Sequence, residues 1–548
     1  MTSIYSIFAV TIISIGLLFF GVFLTHSGKL TSFINFLIVM YFSYYLWLEN
    51  SGVFMRLDRV DTLDSLAIIQ NDSLYFRFFI FYTTLILIIF FIGITDRFFM
   101  SKTSIYEFPV LILFLFFGGL FALSLHTFMD IFLGLEIVTL ASYVLITFER
   151  QNRFSTYAGI QYFILGSLPS AMLLIAFGLF YLQSGSVALQ DLDMLFNTIT
   201  PGSSMIEAND AAFLFNNVVQ NTSENIEPSS WYLFNTDVNF FSSSQFNNIL
   251  ESINPENSMV IRGIFFLFFN FFFKLTAAPF HTWAPSVYGQ APLASVAFLS
   301  IYSKAMVFFL IYKLMNSFLH MFSFITFTIF MIVGGLSLLT GMRGAFSEKR
   351  IKPFFVYSSM GHVGFMLVGL ALGTIEGATA TFHYLLVYIL SSFVMWFTLI
   401  TMNRTTIKLN QFSKLKEMNP ILALFFAFLI FSRSGIPPFA GFFIKLDILA
   451  AIMESSHFFV VYFLFFCTVA SFFYYLRLIK IRYFDTPDKA ISLDNAISFS
   501  GIYSSEASVH NVYRFWIISV IRLILATYRF IMQKPMLMIG MEILSSLF

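Results

Sequence analysis

Residues 269–292 read FNFFFKLTAAPFHTWAPSVYGQAP, and the stretch contradicts itself. It opens as the oily middle of a membrane span, yet Lys274 directly follows three phenylalanines and Pro279 stands five residues further on. Lipid offers no partner for backbone N–H and C=O groups, so a spanning chain is helical wherever protein or water does not satisfy a break. A lysine at the centre of such a helix costs about 2.5 to 3.5 kcal/mol even on a lenient insertion scale. The segment therefore reads as a helix broken beside a charge.

The rest of the chain supplies the setting. It has 548 residues, 58% of them hydrophobic and 11% charged, with a mean hydropathy of +0.83, which is too apolar for a soluble globule. A net charge of +1 without a basic domain excludes a nucleic-acid backbone as partner. The single cysteine, Cys467, excludes an internal disulfide, and no CxxC motif or His/Cys cluster is present to hold iron–sulfur, zinc or haem. Any redox cofactor is expected on another chain. The first apolar run, about residues 4–24, lacks a basic start and a small-residue cleavage site and reads as a retained helix. The 78 phenylalanines suggest an AT-rich genome such as an organelle's, a codon argument rather than a physical one.

Apolar runs long enough to span number about fourteen, and they lack the ten-residue alternation of barrel strands. The expected fold is an all-α polytopic membrane protein with about 14 transmembrane helices. Lys and Arg cluster after the ninth span (Arg343, Lys349, Arg350, Lys352), the eleventh (Arg404, Lys408, Lys414, Lys416) and the thirteenth (Arg477, Lys480, Arg482, Lys489), so odd-numbered loops lie inside. Both termini then lie outside. The hydrophilic segment 184–259 has nine acids and no Lys or Arg; it belongs outside, either as a solvated insertion or as a docking surface for a partner. The run at 512–532 carries Arg514, Arg522 and Arg529 on one stripe and fits either a last span or a helix lying on the membrane.

Four charged residues stand deep in apolar runs: Glu136 in DIFLGLEIVTLASYVL, Lys274, Lys304 in VAFLSIYSKAMVFFLIY, and Lys445 in SGIPPFAGFFIKLDIL. Burial disfavours the charged form of each and a partner of opposite sign restores it, so a nearby mobile charge decides which group holds a proton. A static buried ion pair or a snorkelling side chain is the plainer alternative. Lys274 and Lys445 both sit in spans interrupted by proline, at Pro279 and at Pro437–Pro438. Broken helices carrying charge in two halves of a chain point to an ion path built from inverted repeats. Helices 4–8 and 9–13 number five each, so a second copy is upside down relative to the first. The expected organisation is residues 1–107 for helices 1–3, 108–315 for the first repeat with the 184–259 loop outside, 316–482 for the second, and 483–548 for a C-terminal loop and last helix.

Five segments, FLGLEIVTLASYVL, FSTYAGIQYFILGSLPSAMLL, FKLTAAPFHTWAPSVYGQAP, IKPFFVYSSMGHVGFMLVGLALG and GIPPFAGFFIKLDIL, carry a resemblance over residues 108–450. The chain resembles the antiporter-like membrane subunits of proton-pumping NADH:ubiquinone oxidoreductase (respiratory complex I), the subunit-2 family in particular. The resemblance implies fourteen helices with helices 7 and 12 broken. It also implies that Glu136 and Lys274 form a pair on the fifth and seventh helices, that Lys304 on the eighth is the central proton carrier, and that Lys445 on the twelfth is the far exit. Protons would be taken up from inside and released outside when a redox-driven charge disturbance breaks the Glu136–Lys274 pair. It places NADH, FMN, iron–sulfur clusters and ubiquinone on partner subunits, names other membrane-arm and accessory subunits and lipids as company, and implies the mitochondrial inner membrane, with both termini and the acidic loop on the intermembrane-space side.

The chain departs from the family pattern in several places. Tyr157 and Gln161 stand where the family has Glu and Lys, Ala294 replaces a second proline, and SRSGIPP replaces SLAGIPP, which adds Arg433. An arginine reaching an interface or a neighbouring subunit is the expected reading of Arg433. His362 and His383 fit as extensions of a water chain between Lys304 and Lys445, or as histidines satisfied locally. His281 is expected to satisfy a backbone group freed at the break, and Asp130 to be a favourable charge in the first turn of a helix. The alternatives in function are a cation/proton antiporter or antiporter-complex subunit, and a structural subunit whose channel is dead.

Overall fold

The computed structural model describes residues 107–124, 127–189, 191–192, 255–401, 420–437, 439–455 and 457–484. The first three expected spans, the run at 512–532 and nearly all of the acidic 184–259 segment lie outside the described residues. Those described are almost wholly helical: α1 Glu107–Ser124, α2 Phe128–Ile146, α3 Arg153–Ser184, α4 Pro255–Leu275, α5 Trp283–Gln290, α6 Leu293–Ser317, α7 Ser323–Ser347, α8 Ile351–Ala371, α9 Ile375–Thr401, α10 Pro420–Ser434, α11 Ala440–Glu454 and α12 Phe458–Tyr483. Seven of them (α2, α3, α6, α7, α8, α9 and α12) are long and apolar enough to cross a membrane. The helix after the acidic segment starts at Pro255, within the expected 184–259 segment, so Glu256 lies in its first turn.

Local chemistry sets the helix ends. Thr127 caps α2: its Oγ1 accepts the Asp130 N–H at 3.3 Å and donates back to the Asp130 carboxylate. This reciprocal cap satisfies an orphan donor and puts a negative charge at the positive end of the helix. The Asn152 side chain accepts the Phe154 N–H at 3.1 Å and starts α3, which ends at Gly185 in the left-handed region. Helix α3 runs through Pro169 without stopping, and the Pro169 carbonyl accepts the Asn270 amide of α4 at 2.8 Å.

Burial divides the helices into an inner and an outer set. In α6, α8 and α9, 94%, 89% and 82% of the spanning window is buried, against 33% in α3 and 28% in α12. The outer faces of α3 and α12 instead present Ile160, Phe163, Ile164, Phe459, Phe465 and Phe466 to the surroundings, the surface expected where a helix meets lipid or another subunit. Side chains of α6 bond to carbonyls of the helices around it: Ser295 to Leu145, Tyr302 to Phe116 and Lys313 to Leu123, at 2.6, 3.1 and 2.8 Å.

Close approach of helices through glycine tightens both halves. An added Cβ at Gly134 of α2 would lie 2.6 Å from the Gly118 carbonyl oxygen and from the Ala122 nitrogen of α1. An added Cβ at Gly364 of α8 would lie 2.8 Å from the Gly334 carbonyl oxygen of α7. In lipid, where apolar surface gives no drive to associate, such backbone contact is a main source of helix packing. Gly134→Val is expected to cost about 1 to 3 kcal/mol through overpacking and to lower the amount of assembled protein on native gels. Gly178→Val, at a position with nothing within 4 Å, serves as the harmless control.

Candidate functional site: a row of buried cations

The two helix breaks share one local geometry. Helix α4 stops at Leu275, with Thr276 in the left-handed region at φ 60°. The Thr276 N–H then bonds to the Phe273 carbonyl at 3.1 Å and the Ala277 N–H to the Phe272 carbonyl at 2.9 Å. Helix α10 stops at Ser434, with Gly435 at φ 84°, the Gly435 N–H on the Ser432 carbonyl at 3.1 Å and the Ile436 N–H on the Phe431 carbonyl at 3.2 Å. Both are Schellman endings, which take up carbonyls that a helix terminus leaves open. The helices therefore end before their prolines. At the first break the Ala278 N–H is satisfied by Ser337 Oγ at 2.9 Å. His281, expected to serve a freed backbone group, is half-buried and has a hydrogen bond with the Pro279 backbone at the break, while its Nδ1 has no partner.

Lys274 occupies the last turn of α4, 8% exposed. Its Nζ donates to the Leu135 carbonyl of α2 at 3.3 Å. Glu136, the next residue, is half-buried and accepts a bond from Thr139 Oγ1 at 3.2 Å. The two charges act on one another through space, while the contacts each makes are with other groups. Lys304 sits mid-way along α6 and is fully buried; its Nζ donates to Ser359 Oγ of α8 at 2.7 Å and lies 5.9 Å from the centre of the Tyr388 ring of α9. His362, one turn beyond Ser359 (on α8), is bonded at both ring nitrogens: Nδ1 to Tyr384 OH at 2.7 Å and Nε2 to Tyr475 OH at 3.1 Å.

Lys445 lies in α11 but reaches back to the end of α10. Its Nζ donates to the Ser434 carbonyl at 2.9 Å and to Ser471 Oγ at 3.3 Å, 5.5 Å from the centre of the Phe365 ring. Two cavities join Lys445 to His362, and Lys304 lines neither. One is lined by His362, Phe365, Lys445, Cys467 and Ser471 among others. The other is lined by His362, Tyr384, Tyr388, Ser391, Arg433 and Lys445 among others. The room open to water centres is about 10 Å³ in each, enough for a single water. His362 thus lies between Lys445 and the Tyr388 ring that faces Lys304. His383, one residue from Tyr384, is half-buried and lines neither cavity.

Arg433 is not where the sequence put it. Instead of reaching an interface, it is 3% exposed within this single chain, so its guanidinium is held inside. Nη2 donates to Ser392 Oγ at 2.9 Å, Nη1 lies 2.6 Å from Met395 Sδ, and the guanidinium carbon is 5.5 Å from the centre of the Tyr388 ring. Nε has no partner.

Several members of the site escape a search for charges. Tyr384, Tyr388, Ser391 and Ser392 follow one another at helical spacing in α9, and Ser358 and Ser359 precede His362 by one turn. Polar residues at such spacing in an apolar helix mark one face, a signal available in the sequence. Asn270, fully buried, stands one turn before Lys274 on the same face of α4. Lys352, counted as a loop charge, is 7% exposed in the first turn of α8 and donates to the Ala291 carbonyl at 2.7 Å. Gln161 bonds to Ser286 Oγ at 3.1 Å and so links α3 to α5.

A multi-pass helical membrane protein that carries buried cations at two interrupted helices is the class this architecture defines. The NADH:quinone oxidoreductase/Mrp antiporter transmembrane family matches residues 126–221 and 230–471, well over half of the length, and the chain belongs to that family. It is 30% identical over 394 residues to NADH-quinone oxidoreductase subunit N of Paramagnetospirillum magneticum, covering 71% of this chain and 70% of that one. It is 29% identical over 398 residues to NADH-ubiquinone oxidoreductase chain 2 of Oenothera berteroana, covering 72% and 70%. A chain in the structure of respiratory complex I from Thermus thermophilus with bound aureothin shares the fold, with a TM-score of 0.62, 21% identity and coverage of 88% and 91%.

The site makes a claim about Gly435. A methyl group added there would sit 3.0 Å from Lys445 Cδ and 3.2 Å from Nζ, on a residue already at positive φ. Gly435→Ala is expected to cost about 1 to 2 kcal/mol in backbone strain and to lift the amine off the Ser434 carbonyl. Thermal unfolding of the purified assembly, read against a Gly185→Ala control at positive φ with open space around it, checks whether the loss exceeds the backbone term.

Proposed function

We propose that this chain is a proton-translocating subunit of the membrane arm of an NADH:ubiquinone oxidoreductase. The observation that carries the reading is the fully buried Lys304 amine, held by a hydroxyl and facing the Tyr388 ring, which lines the cavity shared by His362 and Lys445. An amine removed from water and held by neutral groups is easily relieved of its proton. Groups that accept and return one, with room for a water between them, follow it in space. The names of the relatives support the same assignment, and the shared fold with a respiratory complex supports a multi-subunit setting.

In this reading a proton taken up from inside loads Lys304. It passes by way of His362 and single waters to Lys445, and leaves outside when a change in charge at Glu136 and Lys274 alters the balance at Lys304. His383 extends the water chain between Lys304 and Lys445 or is satisfied locally. The twin Schellman breaks and the twin glycine-packed helix pairs support two inverted five-helix repeats within a fourteen-helix chain, residues 108–315 and 316–482. The electrons travel elsewhere: NADH, FMN, iron–sulfur clusters and ubiquinone belong to partner subunits. The mitochondrial inner membrane is the proposed location, with both termini and the acidic loop towards the intermembrane space and accessory subunits and lipids around the outer helices.

Lys304→Ala in the assembled enzyme is expected to slow NADH-driven proton uptake into inverted vesicles by about tenfold, equivalent to about 1.4 kcal/mol on one barrier. Pumping at the unaltered rate would favour a channel that is structural only. Glu136→Gln removes the charge that acts on Lys274 while keeping its size. It is expected to slow pumping and quinone reduction together, because a coupled enzyme cannot turn over faster than its protons move; quinone reduction that continues at full rate without pumping would argue against that link.

A further inference from the structure

Lys274 and Lys445 look like counterparts in the sequence because each lies near a proline, but the backbone aligns the breaks differently. Lys274 stands two residues before Thr276, the left-handed residue that ends α4, and Arg433 stands two residues before Gly435, the left-handed residue that ends α10. Lys445 comes ten residues after its break; the same step from Thr276 leads to Ser286. By position, Arg433 is the second-half partner of Lys274.

The two cations differ in what surrounds them. Lys274 has an acid, Glu136, within electrostatic reach. Among the described residues Arg433 is set against Ser392, Met395 and Tyr388, with Nε unsatisfied, and the cavity it lines contains no Asp or Glu. Lysine can give up its proton; guanidinium cannot. A permanent charge buried at this cost therefore stands on one side of the Tyr388 ring, with the Lys304 amine also facing that ring. Burial acts on Lys304, His362 and Lys445 alike, and the field of Arg433 adds to it at Lys304 and at His362. Lys445 also has two oxygen acceptors and a ring face to receive an ammonium group, and Lys304 has one hydroxyl and one ring.

We propose that Arg433 is a positioning residue of the proton path, the fixed cation at the second helix break whose repulsion sends a proton from Lys304 towards Lys445. The step balances simply: one proton leaves the Lys304 ammonium, which becomes a neutral amine, and one proton reaches the Lys445 amine, which becomes an ammonium. From Lys304 it leaves by the Ser359 hydroxyl that holds the amine, His362 and a water in the cavities it shares with Lys445 carry it onward, and Arg433 neither gains nor loses anything. The inference rests on the proton-path reading of Lys304 and adds to it the residue that gives the transfer its direction.

The test compares Arg433→Leu, Arg433→Lys and Lys304→Ala in the complete enzyme in inverted vesicles. The readout is protons moved per NADH oxidised, and the amount of assembled enzyme is followed by NADH oxidation with a water-soluble electron acceptor. Arg433→Leu is expected to lower the proton yield and the coupled rate, the latter by roughly tenfold if one barrier changes by a decade, at unchanged assembly. Arg433→Lys, which keeps a cation at the break, is expected to recover most of the yield. An Arg433→Leu enzyme with a normal proton yield overturns the proposal, whether or not less of it assembles, because a merely structural arginine would change only the amount. A lowered yield that lysine does not repair overturns the charge argument. Should Lys304→Ala leave pumping intact, the proton-path reading itself fails, and that result is independent of either Arg433 variant.

Discussion

A bilayer has no hydrogen bonds to offer, and that shortage governs this molecule. A helix that stops within such a medium exposes backbone groups costing several kcal/mol each if left alone, so each interruption must come with its own partners. Here the partners are built into the breaks: paired Schellman bonds at both, the Ser337 hydroxyl at the first, and the Lys445 amine on the Ser434 carbonyl at the second. The lysine that the functional reading needs is thus also the group that closes the end of α10. Break and charge support one another, since the carbonyl gives the amine a place to rest and the amine keeps the carbonyl from being an open wound in the helix.

The two halves use this device to different ends. In the first, a lysine just before the break faces a helix that carries an acid, and the charges lie close without touching. In the second, an arginine holds the equivalent place, and the neighbouring helices offer tyrosines, serines and a histidine in place of a carboxylate. Pairs of opposite sign can open and close as protons shift, whereas a lone guanidinium stays charged throughout. One half is arranged to change its state and the other to keep it. The largely buried α6 ties them together, with Lys304 at its middle and side-chain bonds to α1, α2 and α8 along its length.

Much of this was legible in the chain itself. Among the described residues the apolar runs gave the helices to within a few residues because lipid leaves a spanning segment little choice but to be helical, and Lys274, Lys304 and Lys445 stood out because charge is so rare in such runs. Asp130 could be assigned from position alone, since an acid in a first turn has a local role. What could not be read depends on how distant helices meet. The destination of Arg433 depends on α9, some forty residues back, and nothing near residue 433 distinguishes a side chain turned inward from one turned out. The Tyr384–His362–Tyr475 group draws on three separate helices, and tyrosine is too common here to stand out. Proline was a good marker of the breaks and a poor guide to their register, because each helix ends several residues earlier, at the residue with positive φ.

The tyrosine pair around His362 has one further consequence. A neutral imidazole donates from one nitrogen and accepts at the other, and both positions are already taken by phenol oxygens. A charge passing through the ring exchanges the two roles, so afterwards the phenols face the wrong way and must rotate before the next can follow. On the proposed proton route, traffic through this point would be single file, with the turning of two hydroxyl groups as the reset between one passage and the next.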